Sequence, residues 1–507
     1  MQSLPVELQL HIAKFLDVET ILSLRKTCTS LFQFTYDRSL WLCLISRISH
    51  VFPRPLSESE TASLSTLQLE CLIKTATHVE QVWLLPRKDS FLIKERFDSD
   101  DVDISIPRRP RVRCLAFVSD HYLLSLGSGG KFNLWKINDV FAPLAAEVVA
   151  THASSTWYPC AYHVNTAGSV LAIALMHVEF VAARVLTISL DTGISSESCP
   201  PLLVTRGEFS IFLLQVIKAI DADLELVLTS DGESSFEVVN WRTKAQATVA
   251  LIASDPGDLW NGITAMRICG PYVLVVRMHV VEAYPLPSHV SSGVGERADI
   301  LPQLTFRFPH TMTYRRVSLT KTTCVEDDES EIYGLSALAN ELSHGIFLFY
   351  VELTVRPLPS LSVSPVGVRP MAIAAPQTIV VPLSEELSLP LPPPVPFGVV
   401  QDTRTFVSAW ALGDYGRRGI WVAGSRTNMI RTVVAFTNPR DVSNTSSEAL
   451  VWSNNSLQAN VVSNGPRLIN GQVVHDIPLQ DDIAVCAVSD TTGRIALGSW
   501  AGSITIL

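Results

Sequence analysis

Few groupings of residues in this chain have the types and spacing to do chemistry. The most phosphate-like is Gly127-Ser128-Gly129-Gly130-Lys131. A loop that cradles phosphate on its backbone N–H groups needs Ser or Thr after the lysine to hold magnesium, but Phe132 stands there and the first glycine is misplaced. In Gly498-Ser499-Trp500-Ala501-Gly502 the serine sits one position away from where a nucleophile elbow would expose it. Asp98, Asp100, Asp101 and Asp103 could attract a divalent cation. They lack the Gly and terminal Glu of a calcium loop, and a solvated acidic loop is the simpler reading. The 12 histidines show no metal-ligand spacing and no HExxH run. No catalytic residue, cofactor or metal is therefore expected. The remaining enzymatic option is a hydrolase whose acids come together from distant strands.

The elements that would have to position any site come next. A chain of 507 residues exceeds one ordinary core, so two or more domains or one large repeat fold are expected. With 47% hydrophobic and 17% charged residues, most of the chain should be buried. The net charge of −10 argues against a general nucleic-acid binder, which needs a basic face. Nine cysteines without CxxC pairs, and an N-terminus without a charged, then apolar leader, point to reduced thiols in the cytoplasm and/or nucleus. The most apolar window, 170–186, is interrupted by His177, Glu179 and Arg184, so no membrane span is expected.

The first fifty residues read as short helices. Pro5 suits a first helical turn, where its fixed φ helps and its missing N–H costs little. Leu4, Leu8, Ile12 and Leu16 recur every four residues as one apolar stripe. Asp17 is placed to cap a second helix presenting Ile21, Leu24, Cys28 and Leu31, and Asp37 a third presenting Leu40, Trp41, Leu44 and Ile45. Helices this short cannot bury all those faces among themselves, so apolar surface should be left for a partner. An ordinary helical cap packed on the next domain is the plainer alternative. Residues 57–65 are polar, and Leu67, Leu69, Leu72, Ile73, Ala76 and Val79 follow at mostly helical spacing; Trp83-Leu84-Leu85 then turns to extended character.

This N-terminal pattern resembles an F-box, the helical module that docks a protein onto the Skp adaptor of a cullin-RING ubiquitin ligase; Thr27, where Val is common, departs from it. The resemblance implies that Leu4, Pro5, Leu8, Ile12, Leu16, Leu24 and Cys28 face the Skp adaptor, while Trp41 packs the F-box helices together. It also implies a rigid helical linker after the module.

Beyond about residue 111, short runs of Val, Ile, Leu and aromatics alternate with Gly, Ser, Asp and Asn, the mark of strands and hairpins. Leu126-Gly127-Ser128, Ala423-Gly424-Ser425 and Leu497-Gly498-Ser499 each end one strand shortly before another, and Asp231-Gly232 makes a fourth such turn. Third strands of the repeating unit are expected near Trp135, Ile188, Trp241, Tyr284, Phe349, Val434 and Ile506, mostly about 45 to 75 residues apart. This looks like a degenerate WD-repeat β-propeller, although no Gly-His precedes the units and Trp135 and Trp241 are followed by Lys136 and Arg242 rather than Asp. Seven blades are favoured, six or eight being possible, with a pair of β-sandwiches as the competitor. Because the chain stops inside the apolar strand ending at Leu507, an earlier segment within 82–93 or 104–112 should complete the last blade and leave no bare edge. Prolines crowd residues 356–397, which read as an extended inter-blade insertion, or as a ligand for a proline-binding domain. Glu326-Asp327-Asp328-Glu329 is expected in an exposed loop. Arg108-Arg109-Pro110-Arg111-Val112-Arg113 reads as the solvated start of a strand, or as an import signal or basic patch.

The expectation is thus an α+β multidomain chain: F-box over 1–50, helical linker and lead-in over 51–100, and all-β propeller over 101–507. Its expected function is that of a substrate-recognition subunit of a Skp–cullin–F-box ubiquitin ligase. Its partners would be the Skp adaptor, a cullin through it, and a target protein on the propeller, with neither nucleic acid nor membrane. The rivals are an adaptor-bound scaffold that never recruits a cullin, and a propeller hydrolase with an incidental helical cap.

Overall fold

The computed structural model describes residues 5–53, 56, 58–87, 89–94, 112–127, 130–180, 182–190, 203–210, 215–251, 261–287, 296–298, 301–307, 313–327, 330–341, 345–355, 395–396, 405–425, 430–438, 471–477 and 482–507. Its N-terminal part contains α1 (Val6–Ala13), α2 (Val18–Arg25), α3 (Thr29–Phe34), α4 (Arg38–Arg47), α5 (Glu58–Ser63) and α6 (Thr66–Val82). The capping chemistry is local. The Asp17 carboxylate accepts from Thr20 N at 2.6 Å, and Asp37 accepts from Ser39 N at 2.8 Å. Ser65 and Gln68 form a reciprocal capping box at the start of α6, satisfying donors that would otherwise have no partner.

Two helix boundaries differ from the sequence expectation. The first helix ends at Ala13, so Leu16 lies beyond it, in the turn before Asp17. The second ends at Arg25, and Cys28 begins α3 as an extended N-cap. Thr27 supplies the reason: its hydroxyl donates back to Leu24 O at 2.7 Å, offering the backbone an alternative to helix.

The helices bury one core, with Ile21, Leu40, Trp41 and Leu44 from α2 and α4 against Leu69 and Ile73 of α6. The linker helix thereby completes the small N-terminal unit, which could not enclose its own apolar faces. Across the same seam, Arg25 donates both guanidinium N–H groups to Glu70, at 2.8 Å each.

The β part is seven sheets, each built on antiparallel strands a to d. Blade 1 comprises Val112–Ser119, Tyr122–Gly127, Phe132–Ile137 and Ala146–His152; blade 2 comprises Trp157–Val164, Val170–His177, Ala182–Ser189 and Leu203–Ser210. Blade 3 has Val216–Asp221, Leu226–Ser230, Ser235–Asn240 and Gln246–Ala250, with Glu296–Ala298 added in parallel at its edge. Blade 4 has Ile263–Cys269, Tyr272–Arg277, Val280–Pro285 and Leu304–Arg307. Blade 5 has Tyr314–Leu319, Ser330–Glu341, Gly345–Val355 and Val395–Pro396. Blade 6 has Thr405–Leu412, Arg418–Ser425, Arg431–Thr437 and Gln472–Ile477. Blade 7 has Ile483–Val488, Ile495–Ser499 and Ser503–Ile506, and takes Phe91–Lys94 as its outer strand.

That last strand closes the ring: Phe91 opposes Ile506 and Lys94 opposes Ser503 in antiparallel register. It belongs mostly to the first of the two stretches expected to do so. Every expected third strand contains or directly precedes the residue named for it, from Trp135 in blade 1 to Ile506 in blade 7. In blade 1, Trp135 Nε1 donates to Ser125 Oγ at 3.0 Å, tying the third strand to the second inside the sheet.

The acidic run near Glu326 is not a simple loop. Strand Thr323–Asp327 pairs with Ser330–Glu341, so Glu326 and Asp327 lie on a hairpin, while residues 328–329 lie outside the described residues. Residues 95–111, with the acidic run at 98–103, also lie outside them, as do 356–394 and 397 of the Pro-rich region. Pro396 occurs where a missing N–H is tolerated, on the outermost strand of blade 5.

Candidate functional site: docking face, interdomain junction and central channel

The helical unit displays apolar side chains that it does not bury. On α1, Leu8 is 50% exposed and Ile12 37%, one helical turn apart on the same face, and Phe15 just beyond is 74% exposed. The Phe15 ring meets His11 edge-on, with centroids 5.4 Å apart. Phe32 and Tyr36, exposed on and after α3, make a second pair at 5.1 Å, and the Arg25 guanidinium lies 4.3 Å from the Tyr36 ring centre. Arg47 donates to the carbonyls of Lys14 and Leu16, fixing the turn between α1 and α2.

The residues singled out from sequence fall in different places. Pro5 is exposed and precedes α1; Leu24 and Cys28 are half-buried. Leu16 is half-buried and packs against the helical core. Leu4 lies outside the described residues. Trp41 is fully buried in that core, and its Nε1 donates to Thr35 O at 2.8 Å. Phe15 and Tyr36 stand just past helix ends, where a four-residue spacing no longer applies, and Phe32 lies inside α3 next to the stripe residue Leu31 rather than on it.

A continuous junction joins this unit to the propeller. Trp83, at the C-cap of α6, is 1% exposed and packs with Ile420, Val433, Ile483 and Leu497 of blades 6 and 7. Its Nε1 donates to Phe436 O at 3.0 Å. One helical turn earlier, Glu80 receives Arg418 Nη2 at 2.7 Å and Arg417 Nη2 at 3.2 Å. Asp490 stands behind them, accepting from Arg418 N at 2.8 Å and Tyr415 N at 2.7 Å. Burial pushes its carboxyl up to about 6, against the opposing pull of those two N–H donors and the Arg418 charge. Gly493 has a φ of 65°, and a Cβ there would stand 2.7 Å from Val79 of α6; only glycine permits both the turn and the contact. Arg87 then donates to Gly493 O at 3.1 Å, while its backbone N–H reaches Val474 O.

The first strand of every blade carries a register shift against the second: Val112/Cys114, Pro159/Ala161, Ile217/Ala219, Ile263/Ala265, Tyr314/Arg316, Val407/Ala409 and Ile483/Val485. The skipped residues are Arg113, Cys160, Lys218, Thr264, Arg315, Ser408 and Ala484, one per blade. A bulge bends its strand and re-aims a side chain. Arg113, Cys160, Lys218 and Ala484 all line a central cavity of about 410 Å³. Arg267, Arg316 and Lys321 line it as well, Lys321 being paired with Asp414 at 2.7 Å.

The cavity wall offers little for catalysis. Burial pushes the Cys114 and Cys160 thiols up to about 11, so neither is a ready nucleophile. His163, Asp221 and Asp223 bring one donor atom each within 4.8 Å. However, His163 Nδ1 already accepts Ala222 N–H at 3.0 Å, which leaves the proton of the neutral ring on Nε2 and both nitrogens unsuited to a metal. Burial holds this imidazole below its ordinary range, opposed by Asp221. The Asp221 carboxylate takes the backbone N–H groups of Asp223 and Leu224, and Asp223 that of Thr166.

Among the described residues, no helix is long and apolar enough to cross a membrane. Residues 1–46 match the family described as F-box-like. No curated protein matches the chain. Among solved structures, it is similar to the β-propeller domain of Cps50 (Swd1) from Myceliophteria thermophila, at 13% identity and a TM-score of 0.44, covering 83% of this chain and 99% of that one. The WD40 propeller domain of Doa1 is similar at 12% identity and a TM-score of 0.35 over 79% and 93% of the two chains. The hydrazine synthase of Kuenenia stuttgartiensis is similar at 11% and 0.39 over 82% and 99%. The chain thus joins an F-box-like domain over residues 1–46 to a seven-bladed β-propeller.

Proposed function

We propose that this protein is the substrate-recognition subunit of a Skp–cullin–F-box ubiquitin ligase. F-box-like domains and β-propellers typically serve as adaptor and receptor modules. The observation that carries the reading is the apolar face of α1 and the turn after it, where Leu8, Ile12 and Phe15 stay in solvent although the unit has a complete core beneath them. Three large apolar side chains within eight residues form a patch of the kind that marks a partner surface. In this reading the Skp adaptor covers that patch, with Pro5, Leu16, Leu24 and Cys28 at its margin, and recruits a cullin.

The propeller contributes a target-binding surface. Through Trp83, Glu80 and Val79 it is fixed to the same helix that completes the F-box core, so a bound target is held at a set position relative to the adaptor. Catalysis belongs to the partner enzyme. Tethering makes transfer of ubiquitin from its carrier to the target effectively intramolecular. The chain itself contributes placement.

Replacing Leu8 and Ile12 together with Asp tests this. Both are exposed, so folding should survive, whereas charges buried at the adaptor interface should cost several kcal/mol, on the order of a thousandfold in affinity. The variant should keep its target and lose both adaptor and cullin on co-purification, and the target should accumulate in cells. Undiminished adaptor binding refutes the reading. Adaptor binding by the unaltered protein without cullin, or with no protein changing in ubiquitin state, favours the scaffold instead.

A further inference from the structure

We propose that the central channel is a binding site for a compact, multiply charged phosphate compound, held by a collar of cations at the strand bulges. The bulges place Arg113, on blade 1, and Lys218, on blade 3, at equivalent positions, and Arg316 follows directly after the bulge of blade 5. All three line the same cavity. The bulge residues of blades 2, 4, 6 and 7 are Cys160, Thr264, Ser408 and Ala484, small and without charge. Cations from alternate blades therefore converge with small residues between them. Arg267 stands three residues past the bulge in blade 4 and adds a fourth positive charge.

Charge is what sets this cavity apart from the rest of the molecule. The chain carries a net charge of −10, yet among the described residues the only carboxylate lining the cavity is Asp414, and Lys321 pairs with it. Asp221, at the tier of Arg267, is engaged by backbone N–H groups beside His163. No described carboxylate forms an ion pair with Arg113, Lys218, Arg267 or Arg316.

One polar atom of the cavity wall also lacks a partner. Arg267, which lines the cavity, has a buried Nε that makes no hydrogen bond among the described residues, a costly condition that a ligand oxygen would relieve. Burial lowers the affinity of Lys218 for its proton, as expected of a cation drawn partly out of water, and its Nζ donates to Ile263 O at 3.2 Å. Several converging cations in a partly desolvated space favour a ligand with several charges over one with a single charge. The cavity volume of about 410 Å³ falls in the small-molecule range, which favours a compact anion over a folded partner.

The inference is independent of the adaptor reading, because it concerns binding by the full chain alone. Tripolyphosphate is the probe, titrated by calorimetry alongside orthophosphate and sulfate. Tripolyphosphate should bind at least about tenfold tighter than either, raise the melting temperature, and weaken as salt increases. Arg113 is exposed at the channel, so Arg113→Gln should fold normally and lose about tenfold or more in affinity; adding Lys218→Gln should abolish binding. Arg242→Gln, which alters an exposed arginine paired with Glu225, should bind as the unaltered protein does. An ATP titration identifies the source of the phosphates: tighter binding than tripolyphosphate points to a nucleotide, and equal or weaker binding to the phosphate chain alone. The proposal fails if tripolyphosphate does not bind, if orthophosphate matches it, or if well-folded Arg113→Gln retains full affinity.

Discussion

Trp83→Ala is the sharpest test of the idea that the helical unit and the propeller form one mechanical piece. Trp83 is 1% exposed, and its ring packs among core residues of blades 6 and 7 while its Nε1 donates to Phe436 O. Truncating a fully buried Trp to Ala costs about 3–5 kcal/mol from lost burial and the cavity left behind. The hydrogen bond from Nε1 to Phe436 O is lost as well, adding about 1 kcal/mol. Trp83→Phe keeps most of the volume and loses only the donor and part of the ring, so about 1–3 kcal/mol is expected.

A chain with two structural units need not unfold in one step, so a single melting temperature is a poor readout. Amide hydrogen exchange resolved by segment is better. Protection in Arg418–Ser425 and Ile495–Ser499 should fall by about a thousandfold in Trp83→Ala, since each 1.4 kcal/mol is roughly a factor of ten. Val170–His177 in blade 2, distant along the ring, should change little. A loss below about 1 kcal/mol, or equal losses for Ala and Phe, would mean that Trp83 rests on the propeller without being keyed into it.

Other outcomes follow from ring closure and from the buried carboxylate. Deleting Ser503–Leu507 removes the partner of Phe91–Lys94 and exposes the edge of Ile495–Ser499; solubility should drop sharply on size-exclusion chromatography, and a monomeric, equally stable product would contradict the closure. Asp490 has a carboxyl raised from 3.8 to about 6, so the native state binds that proton more tightly than the unfolded chain does. Its contribution to stability is present below about 4 and is lost as pH rises through about 6. Denaturation midpoints between these values should therefore fall with rising pH, and the slope should flatten in Asp490→Asn; an unaltered slope would assign it to other groups. Asp231 works in the opposite sense: burial opposes its ionisation, but donors from Ser234, Glu233 and Ser235 win and hold it at about 2. Asp231→Ala should thus cost stability at neutral pH that the unaltered protein loses only as pH falls from about 4 towards 2, as an acid titration of unfolding would show.

Much of the architecture was legible in the chain because it rests on local rules. Asp17 and Asp37 announce helix starts through their side-chain chemistry, and the third strand of each blade is an apolar run bracketed by turn residues. The break at Thr27 was harder to see, since Ile21, Leu24, Cys28 and Leu31 keep helical spacing across it, and only the back-bonding hydroxyl shows that the helix stops. The junction was less legible still. Glu80 and Arg418 are more than three hundred residues apart, and nothing local to either marks it as half of an ion pair. Trp83 looked like the start of an extended segment because its partners, Phe436 and Ile483, belong to the far end of the ring.

The channel collar illustrates the same limit. Arg113 sits in a basic run that reads as the solvated start of a strand, and Lys218 is a single lysine in an apolar strand. Neither draws attention alone, because a bulge is a property of pairing between strands. Once the registers are known, the seven skipped positions align, and charge falls on blades 1 and 3 and beside the bulge of blade 5. A ring that packed best with uncharged residues at every bulge would have no reason to concentrate cations there. Like charges facing one channel repel, Lys218 is in addition drawn partly out of water, and an anion in the channel would offset both costs.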